Sequence, residues 1–210
     1  MPACGSGNAR RFTCPYHAWV YDNTGRLKGV PGAAGFESMN RDQYGLVELP
    51  SEERHGFIWA VLTAEAEMDL DAHLGPMDSE LAQWNYQAFG YHDERLLTSE
   101  VSWKGALEAF AEGYHFPFVH GNSVIGMNTL ANTHVYDEFG VHHRIGFPFN
   151  WITQLEGTEP ADNWDPVQQM GIIYWVYPNL ILANSPVGVE VIDILPADSA
   201  TTCTGRHSWM

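Results

Sequence analysis

The stretch from Glu108 to His120 constrains the fold and chemistry of this chain most strongly, because it places one histidine before Pro117 and one after it. Glu108, Glu112 and His115 are spaced by four and three residues, so a helix would place all three on one face. Pro117 predicts the end of that helix, which lets His120 turn towards His115. Two neutral imidazoles and a carboxylate on one side of an iron leave the opposite positions open, as oxygen chemistry requires. The stretch therefore predicts a mononuclear iron site.

The same histidines have a second interpretation. The chain contains 10 histidines, and His115 and His120 stand among aromatic residues, as partly buried members of a core would. An isolated motif match carries a high risk of coincidence. A second metal-binding pattern elsewhere in the chain favours the iron interpretation.

That second pattern is Cys14-Pro15-Tyr16-His17, followed by Trp19. Cys-x-x-His is half of a Rieske [2Fe–2S] site, in which two cysteines hold one iron and two histidines hold the other. The tetrapeptide alone also suits a small buried cysteine beside a surface histidine, but the intervening Pro-Tyr and the following tryptophan favour the cluster. The other half of the site is missing, because Cys4 is the only upstream cysteine and Cys4-Gly5-Ser6 contains no histidine.

Charge and cysteine content exclude several classes of protein. The 26 acidic and 10 basic residues give a net charge of −16, which leaves no basic surface for nucleic acid. Three cysteines without framework spacing predict reduced thiols and a cytoplasmic protein. The sequence contains no run of about eighteen apolar residues, so no membrane-spanning helix is predicted. The N-terminus lacks the apolar segment of a signal peptide.

The charge is unevenly distributed. Residues 1–34 carry four basic side chains against one acidic side chain, although the chain as a whole is acidic. This asymmetry is either chance in a short window or a basic docking face around Cys14 and His17 for an acidic electron donor.

The hydrophobic pattern changes from strand-like to helical along the chain. Residues 8–62 are β-rich and end in the apolar run 56–62, which predicts a buried strand. Leu70, Leu74, Met77 and Leu81 then fall on one helical face. A second helix is predicted from residue 103 to about residue 115.

Strand-like runs separated by turns dominate the rest of the chain. The best candidates are residues 91–101, 134–149, 171–176, 180–184 and 189–195. Two β-rich regions with helices between them predict an α+β chain with two domains, residues 1–62 and residues 63–210.

The motifs together resemble a known family. Ser102-Trp103-Lys104, the run from Glu108 to His115 and then His120 are similar to the signature Asn-Trp-Lys … Glu-Asn-Phe-x-(Asp or Glu)-x-Tyr-His-x4-His. That signature is typical of the α (large oxygenase) subunit of Rieske non-haem iron oxygenases, the ring-hydroxylating dioxygenases and related monooxygenases. Tyr177-Pro178-Asn179-Leu180 also resembles the family. The likeness runs in order over essentially all 210 residues.

The resemblance implies a role for each motif residue. Cys14 and His17 would be [2Fe–2S] ligands, His115 and His120 would bind the mononuclear Fe(II), and Glu112 would be the electron bridge between subunits. The family's third iron ligand is an aspartate further downstream, expected beyond Met210. The resemblance therefore implies an internal fragment, with a partial Rieske domain and an incomplete helix-grip catalytic domain, that is inactive by itself.

Two alanines depart from the family pattern. Ala18 stands where glycine is common, and Ala109 stands where asparagine is common.

The resemblance also implies a reaction and partners. A ferredoxin and/or reductase would deliver electrons from NAD(P)H to a homotrimer or α3β3 assembly that hydroxylates an aromatic or related small organic substrate with O2. Phe110, Phe116 and Val119 are candidate pocket residues. A dioxygenase is favoured over the alternative, a monooxygenase acting on a quaternary amine or as a demethylase.

Two interpretations of another class stay open. A helix-grip module could bind a hydrophobic ligand without redox chemistry, with the two histidines as core residues. A pure electron carrier fits less well, because of the long region after residue 62 and its His-x4-His pattern.

Overall fold

All strand pairs that the structure describes are antiparallel. The structure is a computed structural model that describes residues 7–130, 133–157, 164–197 and 203–209. It divides into two units, Met1–Asp69 and Leu70–Met210. Short helices accompany the antiparallel sheets in the second unit, which confirms the predicted α+β class.

The first unit contains a three-stranded sheet and a separate hairpin. The sheet has the order β1-β2-β3, and β4 pairs with β5. The strands are β1 (Arg11–Thr13), β2 (Val20–Asp22), β3 (Leu27–Gly29), β4 (Ser51–Arg54) and β5 (Phe57–Ala60). Two 3₁₀ turns, Ala33–Phe36 and Arg41–Gln43, follow β3.

Asp22 organises the turn between β2 and β3. Its carboxylate accepts hydrogen bonds from the Thr24 hydroxyl at 2.7 Å, the Thr24 N–H at 3.0 Å and the Arg26 N–H at 3.0 Å. The hydrogen bond from Thr24 is the main reason that the pKa of Asp22 lies well below its ordinary value. Gly25 has φ 78°, a conformation that glycine adopts without strain.

The strand predicted within residues 56–62 is present as β5, but the prediction that it is buried is wrong. Ile58 is 80% exposed and Leu62 is 86% exposed. Burial alternates along β5, with Phe57 and Trp59 partly covered, because a two-stranded hairpin can cover only one of its faces.

The second unit is built around a seven-stranded antiparallel sheet. Its strand order is β6-β12-β11-β10-β9-β8-β7. The strands are β6 (Asp93–Ser99), β7 (Val135–Phe139), β8 (His142–Pro148), β9 (Met170–Val176), β10 (Leu180–Ser185), β11 (Gly188–Pro196) and β12 (Cys203–Trp209). The helices are α1 (Leu70–Leu74), α2 (Met77–Ala82), α3 (Trp103–Glu108), α4 (Phe116–Val119), α5 (Val124–Asn128) and α6 (Pro166–Gln169), and 3₁₀ turns occupy Tyr86–Ala88, Ala109–Ala111 and Asn150–Leu155. The predicted run 134–149 is divided into β7 and β8 at Gly140, whose φ is 69°.

One face of the sheet packs against α3 and α4. Leu107 of α3 and Phe116 of α4 lie in the same apolar cluster as the strand residues Ile145, Phe147, Ile173, Ile181, Ile192, Ile194 and Cys203. Because side chains alternate across a strand, these strand residues share one face. This core cluster lies under the segment that carries His115 and His120.

The opposite face packs against α1 and α2. Leu74, Met77 and Leu81 are fully buried, which confirms the predicted apolar helical face. The face spans two helices, because Gly75 has φ 50° and Pro76 precedes α2. Arg144 of β8 bonds Glu80 of α2.

The helices within the described ranges all lack the length and apolar character that crossing a membrane requires.

Candidate metal centre

The helix that leads into the histidine segment is shorter than its sequence pattern indicates. Ser102 begins α3 by accepting the Gly105 N–H at 3.2 Å, and α3 ends at Glu108. A 3₁₀ turn follows, and Glu112 is extended, with φ −148° and ψ 156°. The predicted single helix from residue 103 to about residue 115 is therefore wrong, and Glu108, Glu112 and His115 do not share one helical face.

Glu112 caps the turn that carries His115. Its Oε2 accepts the Tyr114 N–H at 2.5 Å and the His115 N–H at 3.3 Å. A side-chain acceptor of this kind satisfies backbone donors that lack a partner at the start of a turn. The carboxylate replaces the helix as the local organiser, which explains why the backbone leaves the helical conformation at this residue.

The other oxygen of Glu112 orients the His115 ring. Oε1 contacts Nδ1 of His115. An ionised carboxylate only accepts hydrogen bonds, so Nδ1 must carry the proton. Nε2 of His115 then keeps its lone pair for a metal ion, the arrangement that metal-bound histidines use.

The pKa of Glu112 reflects these contacts. Desolvation raises that pKa. The hydrogen bonds from the His115 ring and the Tyr114 N–H lower it by more, so the pKa lies below its ordinary value. The carboxylate thus remains ionised at neutral pH and keeps the proton of His115 on Nδ1.

Gly113 brings the backbone of this segment into contact with the core. A Cβ at Gly113 would lie 2.5 Å from Cε1 and 2.9 Å from Cδ1 of Phe147. Phe147 is 1% exposed and is held by its neighbours, so only glycine fits. The Phe116 and Phe147 rings, 4.8 Å apart between centroids, extend this contact on the other side of His115.

Pro117 begins a helix and does not end one. It lies in the first turn of α4, where its missing N–H costs nothing. His120 follows α4 directly and donates its N–H to the Phe116 carbonyl at 2.9 Å. The expectation that Pro117 terminates the preceding helix is wrong, yet the bend still brings His120 back towards His115.

The two imidazoles are close enough to share one metal ion. Their ring centroids are 5.2 Å apart and their planes are inclined by 64°. Two imidazoles bound to one ion through nitrogens at about 2.1 Å have ring centroids roughly 4.5–5.3 Å apart. The donor set of His115 and His120 therefore fits a mononuclear metal.

The described residues bring together two candidate ligands, His115 and His120, and no candidate for a third. Nowhere among them do three or more His, Cys, Asp or Glu side chains form a group that could hold a metal ion. Glu112 is occupied with Nδ1 of His115, so it supports a ligand from behind. Glu108 ends α3 with an exposed side chain, and Asp193 lies within β11.

The three candidate pocket residues lie in different environments. Phe116 is 5% exposed and belongs to the core cluster, and Phe110 packs against that cluster. Val119 is 70% exposed. Their contact with a substrate stays a prediction.

The Cys14–His17 loop is closed by its own backbone. The Cys14 N–H donates to the Trp19 carbonyl at 2.8 Å, and the Ala18 N–H donates to the Cys14 carbonyl at 2.9 Å. Cys14 is partly exposed and His17 is exposed, so a thiol and an imidazole are available at one tight turn. Their role as half of a [2Fe–2S] donor set stays a prediction, and Cys4 lies outside the described residues.

Ala18 adopts a strained conformation in this loop. Its φ is 56°, in the left-handed region that disfavours residues with a Cβ. The glycine common at this position in the resembling family would adopt it freely. Trp19 then anchors the loop through edge contacts with Phe36 and Tyr44, each with ring centroids 6.1 Å apart.

Sequence reasoning missed the residues that support the two histidines. Gly113 and Phe147 are 34 positions apart in the chain, and no spacing rule connects them. Ser123 and Gly126 also pack on His120. The one available signal was local, because a serine directly before an apolar run is typical of a helix start.

Two family models match the chain. Residues 81–210 match the model described as ring hydroxylating alpha subunit (catalytic domain), and residues 1–41 match the Rieske [2Fe-2S] domain. The chloroplastic choline monooxygenase of Beta vulgaris is 23% identical over 92% of this chain and 43% of the relative. The large oxygenase component of the naphthalene 1,2-dioxygenase system of Pseudomonas fluorescens is 30% identical over 57% of this chain and 28% of the relative. The chain thus spans less than half the length of these curated relatives.

Solved structures show the same fold. A quaternary ammonium Rieske monooxygenase with an inhibitor bound superposes with a TM-score of 0.78 at 19% identity, covering 99% of this chain and 54% of that chain. A naphthalene 1,2-dioxygenase with indole in its active site gives a TM-score of 0.71 at 19% identity, covering 100% of this chain and 54% of that chain.

Proposed function

The chain belongs to the family of ring-hydroxylating α subunits, and from that premise we propose that it supplies part of the catalytic machinery of a terminal oxygenase. In this proposal, residues 1–62 are a partial Rieske domain and residues 63–210 are a partial catalytic domain. The single observation that carries the proposal is the pair His115 and His120, with ring centroids 5.2 Å apart and Glu112 behind His115.

His115 and His120 would hold a mononuclear Fe(II) as neutral imidazoles. When bound, the iron would supply the activation of O2 for hydroxylation of an organic substrate. The role of the protein at this point is to fix the tautomer of His115 through Glu112 and to hold both rings on one side. A third, carboxylate ligand would come from outside the described residues.

Glu112 is the proposed electron bridge. Its side chain is 47% exposed while its oxygens bind the turn and the His115 ring. A carboxylate has about four lone-pair sites, so Glu112 retains sites that can accept a hydrogen bond from a neighbouring subunit. A homotrimer or an α3β3 assembly would provide that neighbour.

Cys14 and His17 would hold half of the [2Fe–2S] cluster. The partly exposed position of this loop suits the transfer of electrons from an external partner. A ferredoxin and/or reductase would deliver them from NAD(P)H, and the basic side chains among residues 1–34 would attract an acidic partner.

The substrate is proposed only as a class. The relatives include a choline monooxygenase and aromatic dioxygenases, so a small aromatic or quaternary ammonium compound is the proposed substrate. Aromatic dioxygenation is the first candidate.

The test is oxygen-dependent turnover by an α subunit that contains these residues, supplied with ferredoxin, reductase and NAD(P)H. Labelled O2 separates the two reaction types, because a dioxygenase transfers both atoms of one O2 molecule to the product and a monooxygenase transfers one. We expect His115→Ala and His120→Ala to abolish product formation, and His92→Ala, at an exposed histidine of the same unit, to leave it unchanged. Full activity of His115→Ala would remove the proposed metal site, and an unmodified subunit that forms no product would favour a non-redox ligand-binding module.

A further inference from the structure

The residues after His120 fold back onto its main chain. The His120 carbonyl accepts two hydrogen bonds from Ser123, one from the N–H and one from the hydroxyl, each at 2.8 Å. Two donors from one residue hold both lone pairs of this carbonyl. The peptide that follows the second imidazole is therefore fixed by Ser123 through its carbonyl.

Gly126 closes the same contact from the first turns of α5. A Cβ at this position would overlap the His120 carbonyl oxygen and would lie 2.5 Å from the carbonyl carbon. No positive φ is recorded for Gly126, so close approach alone requires glycine here. Its N–H donates to the Ser123 hydroxyl at 3.3 Å, which joins the two residues into one support.

A second glycine stands on the other side of the turn. A Cβ at Gly121 would lie 2.5 Å from the Pro117 carbonyl oxygen. The peptide of His120 is thus enclosed between α4 and α5, with no room for a methyl group on either side. Its ring contacts those of His115 and Phe116, at centroid distances of 5.2 Å and 6.0 Å, which limits rotation about the side-chain bonds.

We infer that Ser123 and Gly126 are positioning residues for His120, acting through its main-chain carbonyl. The inference rests on the proposed function, because it assumes that His120 binds a metal ion. The two histidines are then held in different ways. His115 is oriented at its ring by Glu112, whereas His120 is placed through its backbone.

The experiment is a titration of the metal-free 210-residue chain with Co²⁺ alone, followed by NMR at the His115 and His120 rings. In the unmodified chain both rings respond together with one apparent Kd. Gly126→Ala displaces the His120 peptide and weakens Co²⁺ binding at least about 10-fold, as loss of a supporting contact does at other metal sites. The proton on Nδ1 of His115 stays unchanged, because it is held by Glu112.

Gly90→Ala is the matched control. A Cβ at Gly90 meets nothing within 4 Å and no positive φ is recorded there, so Co²⁺ binding stays as in the unmodified chain. Ser123→Ala is a milder second variant, which tests the same contact if Gly126→Ala does not fold. It lowers Co²⁺ affinity and also lowers the urea midpoint modestly, because the Ser123 hydroxyl caps α5. Ser123→Thr, which keeps the hydroxyl, restores both.

Each outcome decides one question. Unchanged Co²⁺ affinity in folded Gly126→Ala and in Ser123→Ala overturns the positioning role, with the proposed function intact. A loss of affinity in Ser123→Ala that Ser123→Thr does not restore also overturns it. If neither ring of the unmodified chain responds to Co²⁺, the proposed metal site itself fails.

Discussion

The Cys14–Trp19 loop and the 112–120 segment both present two candidate metal ligands on short, irregular backbone, but they are held in different ways. The loop is closed by backbone hydrogen bonds from Cys14 to Trp19 and from Ala18 to Cys14, and His17 is exposed. The 112–120 segment rests on the core of a seven-stranded sheet through Gly113 and Phe116.

The difference concerns what each site depends on. A site on the core inherits the packing of that core, so its geometry should hold in the absence of metal and should fail when the core is altered. A site on a self-closed loop depends on local hydrogen bonds and backbone conformation. Substitutions can therefore affect the two regions separately.

The largest expected effect is the loss of Phe147. Phe147 is 1% exposed and packs against both Gly113 and Phe116. Phe147→Ala should therefore lower the free energy of unfolding by about 3–5 kcal/mol. Urea unfolding, followed by tryptophan fluorescence, measures it. Phe118→Ala is the control, since Phe118 is 77% exposed and its loss should stay within about 0.5 kcal/mol. Equal effects of the two substitutions would mean that the segment does not rest on the core.

A smaller effect is expected at Gly113. The added methyl group of Gly113→Ala would press against Phe147, and overpacking of this kind costs about 1–3 kcal/mol. Chemical shifts of the His115 ring should change with it, while those of His17 should not. Gly105→Ala is a matched control inside α3, where a Cβ would make ordinary contacts at 3.4 Å and 3.5 Å. A His115 ring unaffected by Gly113→Ala would contradict the role of this contact.

The second unit should also lose stability in mild acid, through His142. Burial is the main reason that the pKa of this residue lies below 6.5. The hydrogen bond to the His73 carbonyl raises the pKa in part, and the electrostatic effects of His73 and His143 lower it. Neutral His142 accepts the Tyr177 N–H on Nδ1 at 3.0 Å and contacts the His73 carbonyl through Nε2 at 2.6 Å.

A depressed folded-state pKa means that the unfolded chain binds the proton more readily. The stabilisation is present above pH 6.5 and is lost as the pH falls through the lower pKa of the folded state. Urea midpoints measured from pH 7.5 downwards should show this loss, and His142→Phe should flatten the curve while His92→Gln should not. In the first unit, the hydrogen bond from Thr24 holds the pKa of Asp22 well below its ordinary value of 3.8, so its contribution is lost only at lower pH. A curve that is unchanged in His142→Phe would assign the acid sensitivity elsewhere.

The smallest effect has the opposite sign and belongs to the loop. Ala18 has φ 56°, so Ala18→Gly should relieve strain and stabilise the first unit by about 0.5–1 kcal/mol. The gain is smaller than the full cost of the conformation, because glycine has more conformational freedom than alanine in the unfolded chain. Thermal unfolding measures the gain. Ala60→Gly, within β5, should instead cost about 0.5–1 kcal/mol, and a destabilising Ala18→Gly would show that the loop is not strained at this residue.

The sequence was most informative where contacts are local. Leu74, Met77 and Leu81 were predicted on one apolar face and are buried, because helical periodicity follows directly from spacing. The apolar run 56–62 correctly predicted a strand but not its exposure. An apolar run does not reveal whether a second layer covers it, and Ile58 is exposed.

The site shows the same limit. Motif spacing brought His115 and His120 together correctly but assigned the wrong backbone, because Glu112 ends the helical path by capping the next turn with its own side chain. Nothing in the spacing could indicate that Gly113 would meet Phe147, a contact between residues distant in the chain. The end of α3 and the support of His115 both depend on contacts formed only in the folded chain. Local residue spacing does not show which of these contacts form.

The central claim is that His115 and His120 hold one metal ion together, and a double-mutant cycle tests it most directly. Anaerobic Fe(II) binding is measured by equilibrium dialysis for the unmodified chain, His115→Ala, His120→Ala and the double variant. If one ion is shared, each single variant and the double variant lose the same amount of bound iron. Losses that add in the double variant, or binding that is unchanged in all three, would contradict the claim.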